Sequence, residues 1–195
     1  MKEYDLTQVR ERLKDLPPEL LSHCERVRVV CLELAQRWGV SPEKAQFAAL
    51  THDLARALEP AELLSLARSY KLINDEVDLH HPVLLHGPVA AAILQRQWGI
   101  DDEEVLRAVS CHTAGCVDMS LLEKIVFLAD KTEDEKAVLR PGLVQLREMA
   151  KVDLDHAVLE LMDRLILFHI ENKHLVHPSC MAARNFLLMK VGRKG

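Results

Sequence analysis

The sequence predicts an all-α fold. Three observations point there: only seven Gly and eight Pro interrupt 195 residues, β-branched residues occur in short runs, and Leu, Ala, Glu, Arg and Lys, all good helix formers, dominate. From residues 19 to 38, Leu20, Cys24, Val27, Val30, Cys31 and Leu34 recur at three- and four-residue steps, the spacing of one apolar helix face, and the pattern stops at Trp38-Gly39. Ser41-Pro42-Glu43-Lys44 reads as an N-cap followed by a first-turn proline and launches a helix to about Leu58.

Pro60 opens a short helix through Tyr70, and a polar link from Asn74 to His81 leads to Pro82 and a helix ending at Trp98-Gly99. Asp101 is placed to cap the next helix, which runs through His112, and Thr113 to Asp118 reads as a turn. Ser120-Leu-Leu-Glu123 is a capping-box pattern opening a helix that carries Leu121, Leu122, Ile125, Val126, Leu128 and Ala129 into Asp130. A charged segment from Lys131 to Arg140 follows, then helices over about 153–172 and 179–191. With no repeat, low-complexity tract or Ser/Gly-rich linker, residues 1–195 read as one domain with an ordered core over about 5–191 and a loose tail from Gly192.

Twenty-five Lys and Arg against thirty Asp and Glu leave a net charge of −5, so no basic excess advertises a nucleic-acid groove. No apolar stretch approaches the roughly 18 residues of a membrane span, and the charged start MKEYDLTQVRERLKD is unlike a signal peptide. The expectation is a cytoplasmic protein that binds neither nucleic acid nor membrane. Five cysteines without a C-x-x-C pair suggest reduced thiols rather than a zinc knuckle or a disulfide framework. Cys111 reads as a small buried apolar residue. The apolar helices at 158–168 and 181–189 suit a core or a homodimer face equally well.

Chemistry concentrates in His23, the adjacent pair His52-Asp53, His86, His112 and Asp130, spread over five expected helices. These side chains converge only if the helices bundle around a polar centre. Imidazoles and carboxylates without a thiolate suit iron, manganese, zinc or magnesium, and six ligands serve two ions when one carboxylate bridges. Asp53 is the natural bridge, because adjacent helical residues project about 100° apart and can reach different points of one centre. Burying His52-Asp53 between Leu50 and Leu54 is costly without a compensating cation. Asp130 at the end of Ile125-Val-Phe-Leu-Ala-Asp130 opposes the helix dipole, again as a cation would allow.

In order, His23, Leu50-Thr-His52-Asp53-Leu-Ala-Arg56, Leu85-His86-Gly-Pro-Val-Ala-Ala91, His112-Thr-Ala-Gly115 and Leu121-Leu-Glu-Lys-Ile-Val-Phe-Leu-Ala-Asp130 resemble the HD-domain metal-dependent phosphohydrolases. Within that superfamily the chain is similar to the YqeK-type symmetrical bis(5'-nucleosyl)-tetraphosphatases, a likeness that extends through Pro141-Gly142, Leu146-Arg147, His177-Pro178 and Ala183-Arg184-Asn185. The resemblance implies an HD-type helical bundle around two divalent or mixed-valence ions, iron first, with manganese, zinc or magnesium as alternatives. It assigns His23, His52, Asp53 and Asp130 to one ion and Asp53, His86 and His112 to the other. The implied reaction is hydrolysis of diadenosine tetraphosphate to two ADP by a metal-activated water.

The same resemblance gives Arg56 a catalytic and phosphate-positioning role beside Asp53. Thr113 and Gly115, in the turn after His112, offer a hydroxyl and backbone amides to a phosphate, and Lys131, Lys136 or Arg140 supply positive charge where the chain departs from the family pattern. The chain departs from the family's common pattern at Leu20 and Cys116, where basic residues are usual, and over Lys131 to Lys136. Two other functions fit those departures: an HD-type nucleotide phosphatase of different specificity, and a non-catalytic nucleotide sensor that keeps the metal core. His80, His81, His156, His169 and His174 read as surface residues, and His177 as part of a helix entry.

Overall fold

A computed structural model describes residues 4–139 and 142–192. Its elements are α1 (Leu6–Leu13), α2 (Pro18–Trp38), α3 (Pro42–Thr51), α4 (Pro60–Tyr70), α5 (Glu76–His80), a 3₁₀ helix over Pro82–Leu85, α6 (His86–Trp98), α7 (Glu103–Cys111), α8 (Leu121–Thr132), α9 (Asp134–Leu139), α10 (Leu143–Ala150), α11 (Leu154–Glu171) and α12 (Pro178–Gly192). No strand occurs among the described residues, in keeping with the all-α expectation.

The centre of the bundle is α8, which packs against α2, α3, α7, α10 and α11. Its residues Leu122 to Ala129 are all buried, so this helix is enclosed on every side rather than amphipathic. Burial of a side chain such as Phe127 contributes about 1.5–3 kcal/mol. Two charges share that burial: Lys124 pairs with Asp155 of α11 at 2.7 Å, and Glu123 with Arg107 of α7 at 2.9 Å. The inner faces of α2 and α3 close one side with Val27, Val30, Cys31 and Leu34 against Ala45, Ala48 and Leu50.

Several elements depart from the sequence expectation. The charged N-terminal stretch forms α1, capped by Asp5, whose Oδ1 accepts from Thr7 N–H and Gln8 N–H. Asp102 rather than Asp101 caps α7, taking Glu104 N–H at 3.1 Å and Val105 N–H at 3.3 Å. The Asn74–His81 link contains α5, for which Asp75 and Asp78 supply a reciprocal capping box. Charged residues after Asp130 extend α8 by two positions and then build α9, while α10 occupies a stretch to which the sequence reading assigns no helix. In α11, Val158, Leu161 and Met162 serve the core, while Leu167, Phe168 and Ile170 are exposed. Among the described residues no helix is long and apolar enough to cross a membrane.

The departure that matters most is at α3. Regular helix stops at Thr51, and residues 52–58 continue as tight turns, with Leu54 N–H on Thr51 O and Arg56 N–H on Asp53 O at 2.9 Å. Side chains compete for the last carbonyls: the Thr51 hydroxyl donates to Phe47 O at 2.8 Å and His52 Nδ1 to Ala49 O at 2.7 Å. Pro60 then disfavours helix at Glu59. His52, still helical in backbone as the C-cap, and Asp53 after it are both buried at the bundle centre.

Candidate metal centre

All six expected ligands meet in one place. His23 comes from the first turns of α2, His52 and Asp53 from the end of α3, His86 from the start of α6, His112 from the end of α7 and Asp130 from α8. Their rings form a row, with centroids 5.3 Å apart for His23–His52, 4.7 Å for His52–His112 and 4.9 Å for His112–His86. Asp53 lies along that row with its oxygens facing opposite ends. Its Oδ2 is 3.6 Å from His52 Nε2 and 3.8 Å from His23 Nε2, and its Oδ1 is 3.0 Å from His86 Nε2 and 3.4 Å from His112 Nε2. Asp130 Oδ1 closes the His23 end, at 3.0 Å from His23 Nε2 and 3.7 Å from His52 Nε2.

Local backbone sets the direction of three rings. His52, His86 and His112 each stand where a helix begins or ends, and each Nδ1 donates to the carbonyl three residues earlier: Ala49, Val83 and Val109 respectively. That bond fixes the Nδ1–H tautomer and leaves Nε2 as a lone pair aimed inward. Gly87 lets α6 approach α7 closely enough for His86 to meet His112, since a Cβ there would stand 2.9 Å from both Ser110 O and Thr113 Oγ1.

The donor set fits divalent cations. His52 Nε2 is buried without a hydrogen-bond partner among the described residues. His86 Nε2 and His112 Nε2 face each other at 2.9 Å, two lone pairs that need a cation or proton between them. The trios His23–His52–Asp130 and His52–Asp53–His112 each bring one ligand atom per residue within 4.8 Å of the others. Burial opposes ionisation of Asp53, but the imidazoles of His52, His112 and His86 close around it outweigh burial and hold the carboxyl well below its usual range. Asp130 is likewise held low against burial, by Lys131, His23, His52 and Lys136. Burial pushes the His112 imidazole down to about 4.

Above the cluster opens a cleft of about 300 Å³, its floor made by Asp53, His86, His112 and Asp130. Arg56, Thr113, Lys131 and Lys136 are its polar wall, and Leu84, Leu165, Leu175 and Val176 its apolar one. A second cavity of about 220 Å³ adjoins it across Leu84, Thr113, Ala114 and His177. Arg56 is exposed at the mouth, while the Thr113 hydroxyl lies 3.2 Å from His86 Nε2. Lys131 Nζ donates to His112 O at 2.6 Å and to Asp130 Oδ2 at 3.0 Å. Gly115 lines the smaller cavity, and its N–H is already donated to Cys111 O at 2.8 Å. Its φ of +78° is what the turn requires of it. Arg140 lies outside the described residues.

Sequence reasoning missed one contributor: Glu133 is almost fully buried and places Oε1 3.5 Å from His23 Nδ1. The acidic string Glu133-Asp-Glu135 concealed it, because only α8 extending to Thr132 turns Glu133 inward. Lys136, expected at the substrate, also bonds a cluster residue, its Nζ donating to Asp130 Oδ1 at 2.9 Å and to its backbone O at 2.6 Å. His177 serves the helix entry expected of it, its Nδ1 accepting from Ser179 N–H at 3.1 Å while Nε2 faces buried Asp78 at 3.2 Å. Cys111 differs from expectation: it is half-buried, and its sulfur stands by those of Cys116 and the carboxylate of Glu123 rather than in an apolar pocket.

Known proteins resemble this chain over most of its length. A model of the HD domain family matches residues 20–134. The chain is 35% identical over 168 residues to a protein of Halalkalibacterium halodurans named bis(5'-nucleosyl)-tetraphosphatase, symmetrical, covering 86% of this chain and 88% of that one. A Bacillus subtilis protein of the same name is 33% identical over 85% of this chain and 88% of its own. The crystal structure of a predicted HD superfamily hydrolase involved in NAD metabolism, from Clostridium acetobutylicum, superposes with a TM-score of 0.90 at 30% identity, covering 97% of this chain and all of that one. The matched interval opens just before His23 and closes just after Asp130, so it contains all six residues of the cluster, and the chain belongs to the HD domain family.

Proposed function

We propose that this protein is a metal-dependent phosphohydrolase that cleaves dinucleoside tetraphosphates symmetrically, converting diadenosine tetraphosphate and water to two ADP. The observation that carries the reading is Asp53, whose two oxygens each face a pair of imidazoles on the floor of a cleft. The names of the relatives over nearly the whole chain support the substrate class.

In this reading His23, His52, Asp53 and Asp130 hold one ion and Asp53, His86 and His112 the other. When bound, the ions supply Lewis-acid charge to phosphate oxygens and acidify water, with no need for a side-chain nucleophile. Iron is the first candidate, then manganese, zinc or magnesium, because nitrogen and oxygen donors accept all of these. Asp53 is the shared carboxylate, kept ionised by the imidazoles around it. The exposed guanidinium of Arg56 reaches for phosphate oxygens at the cleft mouth, where a planar fork suits them. Thr113 offers a hydroxyl on the same polar wall, Lys131 and Lys136 add positive charge beside Asp130, Gly115 shapes the turn that carries Thr113, and Arg140 is a further phosphate contact. The apolar wall of Leu84, Leu165, Leu175 and Val176 suits a nucleoside.

Protein reloaded with ferrous iron or manganese and incubated with diadenosine tetraphosphate yields ADP as sole product on ion-exchange separation. ATP with AMP, or no product from metal-loaded protein, overturns the proposal.

A further inference from the structure

Outside the metal cluster, the turn after α7 carries a second concentration of reactive atoms. Cys111 and Cys116 stand at its two ends, and their sulfurs lie within 4.8 Å of each other and of a Glu123 carboxylate oxygen. The bond from Gly115 N–H to Cys111 O folds the chain back so that the two residues face each other. Cys116 Sγ is also fixed from outside, donating to Glu123 Oε2 at 3.0 Å and accepting from Arg107 Nη2 at 3.6 Å. Both cysteines line the cavity of about 220 Å³, so a small solute reaches them. Cys24 and Cys31, at 1% and 0% exposure, have no such access.

We propose that Cys111 and Cys116 form a thiol-oxidation site, at which a low-molecular-weight disulfide converts the pair to an intrachain disulfide spanning His112 to Gly115. With the sulfurs already within 4.8 Å of each other, closure to the roughly 2 Å of an S–S bond asks for a small movement of the turn. A soft metal ion is the lesser occupant, because Arg107 already holds Glu123 through two bonds and sets a positive charge against Cys116. In the exchange the Cys116 sulfur attacks glutathione disulfide, its proton passing to Glu123 and then to the departing glutathione. The Cys111 sulfur next displaces the second glutathione, its own proton leaving with that thiol. Two protein thiols and one glutathione disulfide thus become one protein disulfide and two glutathiones.

Trypsin cleavage after Arg107 and Lys124 places both cysteines, and no other, in the peptide of residues 108–124. Full-length metal-loaded protein is exposed to glutathione disulfide, alkylated, digested and weighed by mass spectrometry. The expected peptide lacks two hydrogens, carries no alkyl group and recovers both thiols with dithiothreitol. Its thiols disappear about tenfold faster than that of the Cys24 peptide. Cys116→Ser and Cys111→Ser each abolish the intrapeptide bond. A peptide that stays doubly alkylated, or one that stops at a glutathione adduct in the unmutated protein, overturns the proposal. The readout is a mass, so it stands apart from whether the cleft hydrolyses dinucleoside tetraphosphates.

Discussion

Glu133 holds His23 from behind: one carboxylate oxygen lies 3.5 Å from His23 Nδ1 while the other accepts Arg26 Nε at 2.6 Å. Among the described residues His23 has no carbonyl partner like those of the other three rings, and this carboxylate is what stands behind its Nδ1. Partners that orient ligating imidazoles are worth 10–100-fold in metal affinity. Glu133→Gln, which keeps size and loses charge, weakens metal retention by about 10-fold or more. Competition with a chelator, followed by elemental analysis, measures this directly.

Gly87→Ala tests the contact between α6 and α7. The new methyl meets two backbone carbonyls and the Thr113 hydroxyl at about 3 Å, none of which is the free end of a flexible side chain. Overpacking of this kind costs about 1–3 kcal/mol. At this chain length that lowers Tm by roughly 2–4 °C per kcal/mol, read by calorimetry, and metal content falls with it as His86 moves off His112.

Asp155→Asn tests the ion pair beneath α8. Lys124 is almost fully buried and its Nζ sits 2.7 Å from Asp155 Oδ1, so the variant strands a charge in the core. The expected loss is about 3 kcal/mol in denaturant unfolding. Removing both partners with Lys124→Met added recovers much of it.

Alkaline pH tests the N-terminal packing. Tyr4 stacks on Phe47 with ring centroids 4.4 Å apart, and burial together with the Asp102 carboxylate raises its phenol from 10.0 to about 12. A raised pKa in the folded state means the folded protein keeps a proton that the unfolded chain releases. The stabilisation is therefore complete below pH 10 and is lost as pH climbs from 10 to 12. Tyr4→Phe removes this part of the pH slope when unfolding is followed over that window.

The helical class, the caps at Ser41 and Ser120 and the six clustered side chains were all legible in the sequence, because each rests on spacing along one helix or on an ordered set of residue types. What stayed hidden depends on contacts between distant segments. Nothing local distinguishes Asp101 from Asp102 as a cap, and nothing in Lys131-Thr-Glu-Asp-Glu-Lys136 marks Thr132 and Glu133 as buried and Asp134 and Glu135 as exposed. The α3 break escaped for a different reason: apolar periodicity continues through Leu54 and Leu58, while the His52 imidazole takes the Ala49 carbonyl that would have carried the helix on. Cys111 beside His112 read as filler, since its partner lies across a turn whose shape Gly115 sets.

The bonds from His52, His86 and His112 to carbonyls three residues earlier have a thermodynamic consequence. Ring rotation is arrested during folding, so an arriving ion has little side-chain entropy left to remove, and more of each coordination bond appears as affinity. The cost of order is borne by the whole bundle, where it is diluted among many contacts, and not by the equilibrium between ion and protein.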